Sequence, residues 1–148
     1  MATSPDQTVY YSGQYKPGLG HVGSYQVAGM PYITGSTTMA NNTENIIRFP
    51  SVTKSITVIN RPSGSGEAPD IRVHFASTGA GIGNVVENNH FITLTSNKDS
   101  LTMNVKCSEL YISRVDPAAG NASWQVFAEL TGIPAESMLA LTGSGITE

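Results

Sequence analysis

Charged residues are scarce in this chain of 148 residues, because Asp, Glu, Lys and Arg together make up only 13%. An average soluble domain carries about 25% charged residues. The 8 Lys and Arg residues are outnumbered by 11 acidic residues, which gives a formal net charge of -3. Nucleic-acid binding requires clustered positive charge that displaces counterions. The composition therefore argues against a nucleic-acid partner, and a low-charge surface suits packing against other subunits.

Cysteine is nearly absent, since Cys107 is the only one. A single thiol can form neither an internal disulfide nor a multi-thiolate metal site. His21, His74 and His90 lie on separate predicted elements and lack the HxH or HxxxH spacing of a shared metal site. We interpret Cys107 as a small buried or semi-buried thiol and His74 as a solvated or hydrogen-bonded side chain. No catalytic residue, metal site or cofactor is predicted.

Long hydrophobic runs are also missing. No stretch approaches the roughly 20 apolar residues that a membrane-spanning helix needs. Residues 1–17 lack the basic start and apolar run of a signal peptide. These absences predict no membrane partner and assembly in a cytoplasm.

Alternating apolar and polar residues are the strongest pattern that the sequence does contain. In SLTMNVKCSELYISR, residues 101–106 and 110–112 alternate with a period of two, which indicates half-buried strands. They form either two strands or one strand bent at Cys107, where a bulge would fit. Similar runs predict further strands over residues 44–49, 53–60, 71–75, 90–95 and 123–131, and a short edge strand followed by a turn within residues 21–34.

The spacing of these segments and the lack of a sustained helical period predict an all-β fold. We expect an antiparallel β-sandwich of the jelly-roll type, with Trp124 as the main core anchor. The polar turn at residues 96–99 predicts a hairpin that joins residues 90–95 to residues 101–106. Residues 37–43 are expected to form a polar loop, and the segment from residue 132 onward either a short helical turn or a closing strand.

Residues 1–20 are predicted to form an extended N-terminal arm, and residues 21–148 the β-sandwich domain. Pro and Gly interrupt the arm, and three tyrosines lie between them. Tyrosine offers a large ring with a polar tip, which suits a surface that a partner covers. The predicted partner-binding residues are Tyr10, Tyr11, Tyr15, Tyr25 and Tyr32.

Several strings of the chain resemble a family of small virion structural proteins from tailed phages of aquatic bacteria. They are GHVGSYQVAGMPYITG, FPSVTKSITVIN, IRVHF, HFITLTSNKDSLTMNVKCSELYIS and FAELTGIP, and the resemblance spans residues 20–143. It implies a non-enzymatic capsid decoration, or cement, protein that binds the major capsid protein on the outer face of the shell. On this hypothesis the protein is a homo-oligomer, a trimer, located on the virion surface.

Two other functions remain open. A tail or fibre module would bind a host glycan through its loops, although the loop over residues 61–69 contains no aromatic residue. A hydrolase on a sandwich scaffold would require polar side chains that converge only in the folded protein.

Overall fold

The computed structural model describes residues 17–62, 66, 68–77, 85, 89–95, 97–114, 120–139 and 141. One helical turn, α1, spans Gly23–Gln26 and precedes the strands. The strands are β1 (Met30–Met39), β2 (Thr43–Arg48), β3 (Ser51–Arg61), β4 (Ile71–His74), β5 (Ile92–Leu94), β6 (Ser100–Met103), β7 (Glu109–Arg114) and β8 (Ala122–Pro134). A 3₁₀ turn at Ala135–Ser137 follows β8.

The strands form two antiparallel sheets of four strands each. Sheet I has the order β1-β8-β3-β6, and sheet II has the order β2-β7-β4-β5. Early strands pair with late ones, because β1 pairs with β8, β2 with β7, β3 with β6 and β4 with β5. The predicted antiparallel β-sandwich is confirmed.

The core lies between the two sheets, where the inward residues of the alternating strands meet. Trp124 is only 4% exposed, which confirms that it lies in the core as predicted. The core cluster also contains Met39, Ile47, Phe49, Ile56, Val58, Ile71, Val73, Leu94, Cys107, Leu110, Ile112, Ala122, Val126, Ala128 and Leu130.

The predicted hairpin between residues 90–95 and 101–106 is wrong. β5 belongs to sheet II and pairs with β4, whereas β6 belongs to sheet I and pairs with β3. The polar turn between them is held by β3 instead, because the Lys98 N–H donates to the Asn60 carbonyl and the Asn60 N–H donates to the Asp99 carbonyl, both at 2.8 Å. A polar turn in the sequence predicts where the chain reverses, but it does not determine which sheet the chain enters next.

The chain changes sheets near Cys107, where a bend is one of the predicted alternatives, and also between the strands predicted over residues 44–49 and 53–60. Between β2 and β3 it passes from sheet II to sheet I, and between β6 and β7 it passes back. The crossings lie side by side, since the Phe49 N–H donates to the Ser108 carbonyl at 2.9 Å and the Thr53 N–H donates to the Cys107 carbonyl at 3.0 Å. The segments around Cys107 are therefore two strands of different sheets.

Element boundaries near the ends of the sandwich also differ from the prediction. Residues 23–26 form the turn α1, and β1 begins only at Met30 and continues through Met39 into the expected polar loop. β1 is an edge strand, as expected. After β8, the 3₁₀ turn corresponds to the short helical turn among the alternatives for the C-terminal segment.

A buried threonine holds the crossing between β6 and β7. Thr53 is fully buried, and its hydroxyl donates to the Val105 carbonyl at 2.7 Å and accepts the Cys107 N–H at 3.1 Å. Thr53 lies where the register between β3 and β8 shifts, and the Val105 and Cys107 backbone groups lie between β6 and β7, outside both strands. Buried backbone groups without a partner are costly.

Replacing Thr53 with Val keeps the shape of the side chain and removes its hydroxyl. We expect Thr53→Val to lower the free energy of unfolding by about 2 kcal/mol, because buried backbone groups lose their partner. The control is Thr57→Val on the outer face, where the hydroxyl bonds only the Thr102 hydroxyl at 3.0 Å, and it should change stability by less than about 0.5 kcal/mol. Equal urea midpoints for the two variants would contradict the role of Thr53.

Candidate interaction surface

The outer face of sheet I contains two uncharged rows of residues. The strand register places Ile33, Phe127, Thr57 and Thr102 side by side across all four strands in one row, and Gly35, Gln125, Ile59 and Ser100 in the next. Ile33 is 73% exposed and Phe127 is 39% exposed. We call these eight residues the sheet I face. On the other side of the Ile33–Phe127 row lies the row of Pro31, Glu129 and Ser55, where the Ser55 hydroxyl donates to the Glu129 carboxylate at 2.7 Å. Exposed apolar side chains flanked by polar ones are typical of an interaction surface.

The residues on the inner side of the same strands explain why Ile33 and Phe127 point outward. Trp124, Val126 and Ala128 are buried, so the intervening Phe127 must lie on the other side of β8. The sequence alone predicts that Phe127 lies on the face of β8 opposite Trp124. It does not predict the position of Phe127 beside Ile33, because that depends on the β1–β8 register. Sequence reasoning therefore missed both residues as a candidate surface.

The segment over residues 17–29 lies against one end of this face. The Lys106 Nζ donates to the Leu19 carbonyl at 2.9 Å and lies 4.3 Å from the centre of the Tyr25 ring. The Tyr25 hydroxyl donates to the same carbonyl at 3.1 Å, and the Lys54 Nζ donates to the Val27 carbonyl at 2.7 Å. The described end of the predicted arm is thus fixed to the sandwich by hydrogen bonds and a cation–π contact.

Two of the five predicted partner-binding tyrosines, Tyr25 and Tyr32, lie among the described residues. Tyr10, Tyr11 and Tyr15 lie outside the residues that the structure describes. Tyr25 takes part in the contact with Lys106, and burial raises the pKa of its hydroxyl. Tyr32 is half-buried and packs edge-on against Phe49 with ring centres 5.4 Å apart.

The outer side of sheet II has a different character, since it carries charged groups. Arg48 and Glu109 are opposite each other on β2 and β7, and the Arg48 Nε lies 3.2 Å from a Glu109 carboxylate oxygen. The Tyr111 hydroxyl donates to the other oxygen at 2.6 Å. Burial and this carboxylate raise the pKa of Tyr111 to about 12. The outer side of sheet II therefore carries a hydrogen-bonded ion pair, which the eight residues of the sheet I face do not contain.

His74 lies on the outer side of sheet II in register with Tyr111, yet it is only 1% exposed. Its Nδ1 is 2.6 Å from the Ala76 carbonyl, and its Nε2 is 2.9 Å from the Ser113 Oγ. A carbonyl only accepts, so Nδ1 carries the proton and Nε2 accepts the Ser113 hydroxyl. Burial lowers the pKa of His74 and keeps the ring neutral. Of the predicted alternatives, the structure shows the hydrogen-bonded one.

The Ser113–His74 contact has part of the geometry of a hydrolase nucleophile and base. In such a triad the carboxylate orients the ring from Nδ1, but the nearest Glu44 oxygen lies 3.9 Å from Nε2, the nitrogen that Ser113 already uses. Ser113 is also buried, with 2% exposure. The arrangement stabilises buried polar groups and presents no accessible nucleophile.

Cys107 is a buried thiol, as predicted. It is 1% exposed, and its Sγ lies 3.4 Å from the Thr53 hydroxyl. Burial raises the pKa of the thiol to about 11, which keeps it protonated near neutral pH.

The three histidines lie on separate elements of the fold. The His21 Nδ1 lies 2.8 Å from the Ser24 hydroxyl on α1, His74 is on β4, and half-buried His90 precedes β5. Among the residues that the structure describes, no group of three His, Cys, Asp or Glu side chains could hold a metal ion. Within the same ranges, no helix is both long and apolar enough to cross a membrane.

A groove of about 620 Å³ runs between the adjacent free edges of β1 and β2. Tyr32, Gly35 and Ser36 line one side, Ile46 lines the other, and Trp124 also borders the groove. The Trp124 Nε1–H is buried and has no acceptor among the described residues. The groove leaves the outer edge of β1 uncovered along these residues.

The neutral state of His74 makes a pH effect on stability predictable. The pKa of His74 in the folded state lies below the ordinary value of 6.5. Between these two pKa values the unfolded chain binds a proton at His74 and the folded chain does not. Stability attributable to His74 is therefore complete above pH 6.5 and falls as pH decreases from 6.5 toward the folded-state pKa.

We expect the free energy of unfolding to fall by at most about 1.4 kcal/mol per pH unit because of His74. In His74→Gln the dependence of this free energy on pH should be smaller. Thr57→Val provides the control, because it removes no titratable group and should leave the slope unchanged. The measurement is the free energy of unfolding by urea at a series of pH values. An identical slope in His74→Gln and the unmodified protein would contradict the assignment.

Cys107 should not react with an aromatic disulfide reagent while the protein is folded. Its thiol is buried and protonated, and the thiolate is the reacting species. We expect full labelling in denaturant and labelling only through transient opening in buffer, followed as absorbance of the released thiolate. Rapid stoichiometric labelling of the folded protein would show an accessible thiol.

The chain was compared with protein-family models, with curated proteins and with solved structures, and none of the three comparisons found a match.

Proposed function

We propose that this protein is a non-enzymatic virion structural protein that binds the outer face of a capsid shell and stabilises it. The observation that carries the proposal is the sheet I face, two uncharged rows in which Ile33 and Phe127 are exposed side by side. Apolar side chains in such a setting gain free energy when a partner removes them from water.

The position of residues 17–29 also supports the sheet I face as the binding surface. Lys106 and Lys54 hold residues 17–29 against one end of the sheet I face. Pro17, the first residue that the structure describes, lies next to Gly132 of β8, on the side where the partner is proposed to bind. In this proposal Tyr10, Tyr11 and Tyr15 contact the major capsid protein, and Tyr25 supports the junction.

We also assign the sandwich to the jelly-roll type. The nested pairing of β1 with β8, β2 with β7, β3 with β6 and β4 with β5 is the order expected when one long antiparallel ribbon is folded over into two sheets. Jelly rolls occur in viral capsid domains, and also in lectins and cupins. The fold alone does not decide among these functions, so the proposal depends on the surface.

Weak individual contacts suffice for this function. A shell presents many identical sites, and a protein held at one contact meets the next at high effective concentration. Each copy therefore requires only a modest apolar contact together with its N-terminal segment. Neutral rows on the sheet I face also make binding less dependent on salt than a charged surface would.

The sheet I face is tested by replacing Phe127 with Ser. If Phe127 becomes buried on the shell, its loss should weaken binding by about 2 kcal/mol, roughly 30-fold in affinity. Purified variants are mixed with shells assembled without this protein, and occupancy is measured by electron cryomicroscopy. The matched control is Ile92→Ser, because Ile92 is also exposed but lies on the edge of sheet II.

Full occupancy by Phe127→Ser would contradict the proposed surface. Density confined to the tail or to a unique vertex would contradict decoration itself and favour a module that binds a host glycan.

A further inference from the structure

β1 differs from the other strands at the edges of the two sheets. The described edge strands are β1 and β6 in sheet I and β2 and β5 in sheet II. β5 has three residues and β6 has four, and short edge strands offer little backbone for pairing. β2 carries Glu44 and Arg48, and charged side chains also discourage pairing. These three edges are protected by known devices.

β1 has few of these protections. It is ten residues long, and its sequence MPYITGSTTM contains no charged residue. Ile33, in the middle of its regular section, is 73% exposed. Pro31 removes at most one backbone donor, because proline lacks an N–H. β1 is therefore the edge with the greatest capacity to add another strand.

The outer edge of β1 is open in the described part of the fold. β1 pairs with β8 on one side only, and the groove between β1 and β2 borders its other side along Tyr32–Ser36. In an antiparallel strand pair the backbone groups of alternate residues point away from the partner. Free N–H and C=O groups therefore line this edge.

We propose that the free edge of β1 pairs with β1 of a second copy of this chain, in antiparallel orientation about a two-fold axis at Ile33. The regular register of β1 with β8 runs from Met30 to Ser36 before it shifts, and Ile33 is the midpoint of that section. Pairing about this point aligns the two regular sections over their full length and makes sheet I continuous across both copies.

Charge supports a second copy as the occupant. In an isologous pair each residue faces the same segment of an identical chain, so any charge on β1 would lie near its own copy. β1 has none, so no like charges of β1 itself face each other across the strand pair. The pair would also bring the two Ile33 side chains together beside Phe127, which reduces the apolar surface exposed on each copy.

This inference does not depend on the proposed function, because it concerns the isolated protein in solution. A two-fold pair also differs from the trimer expected on the resemblance, and one measurement separates them. Sedimentation velocity of the full chain over a range of concentrations should show a dimer in equilibrium with a monomer.

Variants that place a charged side chain at the two-fold axis test this pairing directly. We expect Ile33→Lys and Ile33→Glu each to weaken dimerisation by at least about tenfold, because like charges would face each other across the strand pair. An equimolar mixture of the two variants should restore the dimer, since the charges are then opposite. Ile92→Lys, on the exposed edge of sheet II, is the matched control and should dimerise like the unmodified protein.

Restoration in the mixture excludes misfolding as the cause of the loss, and circular dichroism of each variant checks the fold directly. A protein that stays monomeric at all concentrations overturns the proposal. A dimer or trimer that survives Ile33→Lys also overturns it, because its contacts must then lie elsewhere.

Discussion

The fold depends on how the chain moves from one sheet to the other without leaving buried backbone groups unpaired. Two crossings lie side by side, and hydrogen bonds from Phe49 to Ser108 and from Thr53 to Cys107 join them. Strand register is interrupted there, so the ladder cannot satisfy every group. The Thr53 hydroxyl supplies the missing donor and acceptor. A side chain thus completes the backbone hydrogen bonding that allows both sheets to form.

In both sheets, alternate residues of each strand point outward, and the outward residues differ between the two sheets. Sheet II carries the Arg48–Glu109 pair and the buried hydrogen bonds of His74 on its outer side. Sheet I presents two neutral rows in which Ile33 and Phe127 are exposed side by side. The same strands bury Trp124 and expose Phe127, so core and candidate surface follow from one alternation. Proposed shell binding uses the face of sheet I, and proposed self-association uses its edge.

The reactive side-chain types of this protein serve its stability. Cys107 is protonated because it is buried, and neutral His74 accepts the hydroxyl of Ser113. The sequence supported this interpretation of Cys107, since one thiol without a metal-ligand pattern is most often a packed side chain. It could not reveal the candidate surface, because Ile33 and Phe127 are distant in the chain and meet only through the register of β1 with β8.

The sequence by itself determined the β-sandwich class, the positions of most strands and the burial of Trp124, because alternation is a local property that one strand already displays. Only the tertiary structure decided which sheet each strand joins. The polar turn before Ser100 has the same sequence pattern whether the strands on its two sides pair with each other or enter different sheets. In this fold β5 and β6 enter different sheets. Strand partners are selected by packing across the whole core and by backbone groups such as those that Thr53 satisfies, and neither is encoded within a single segment.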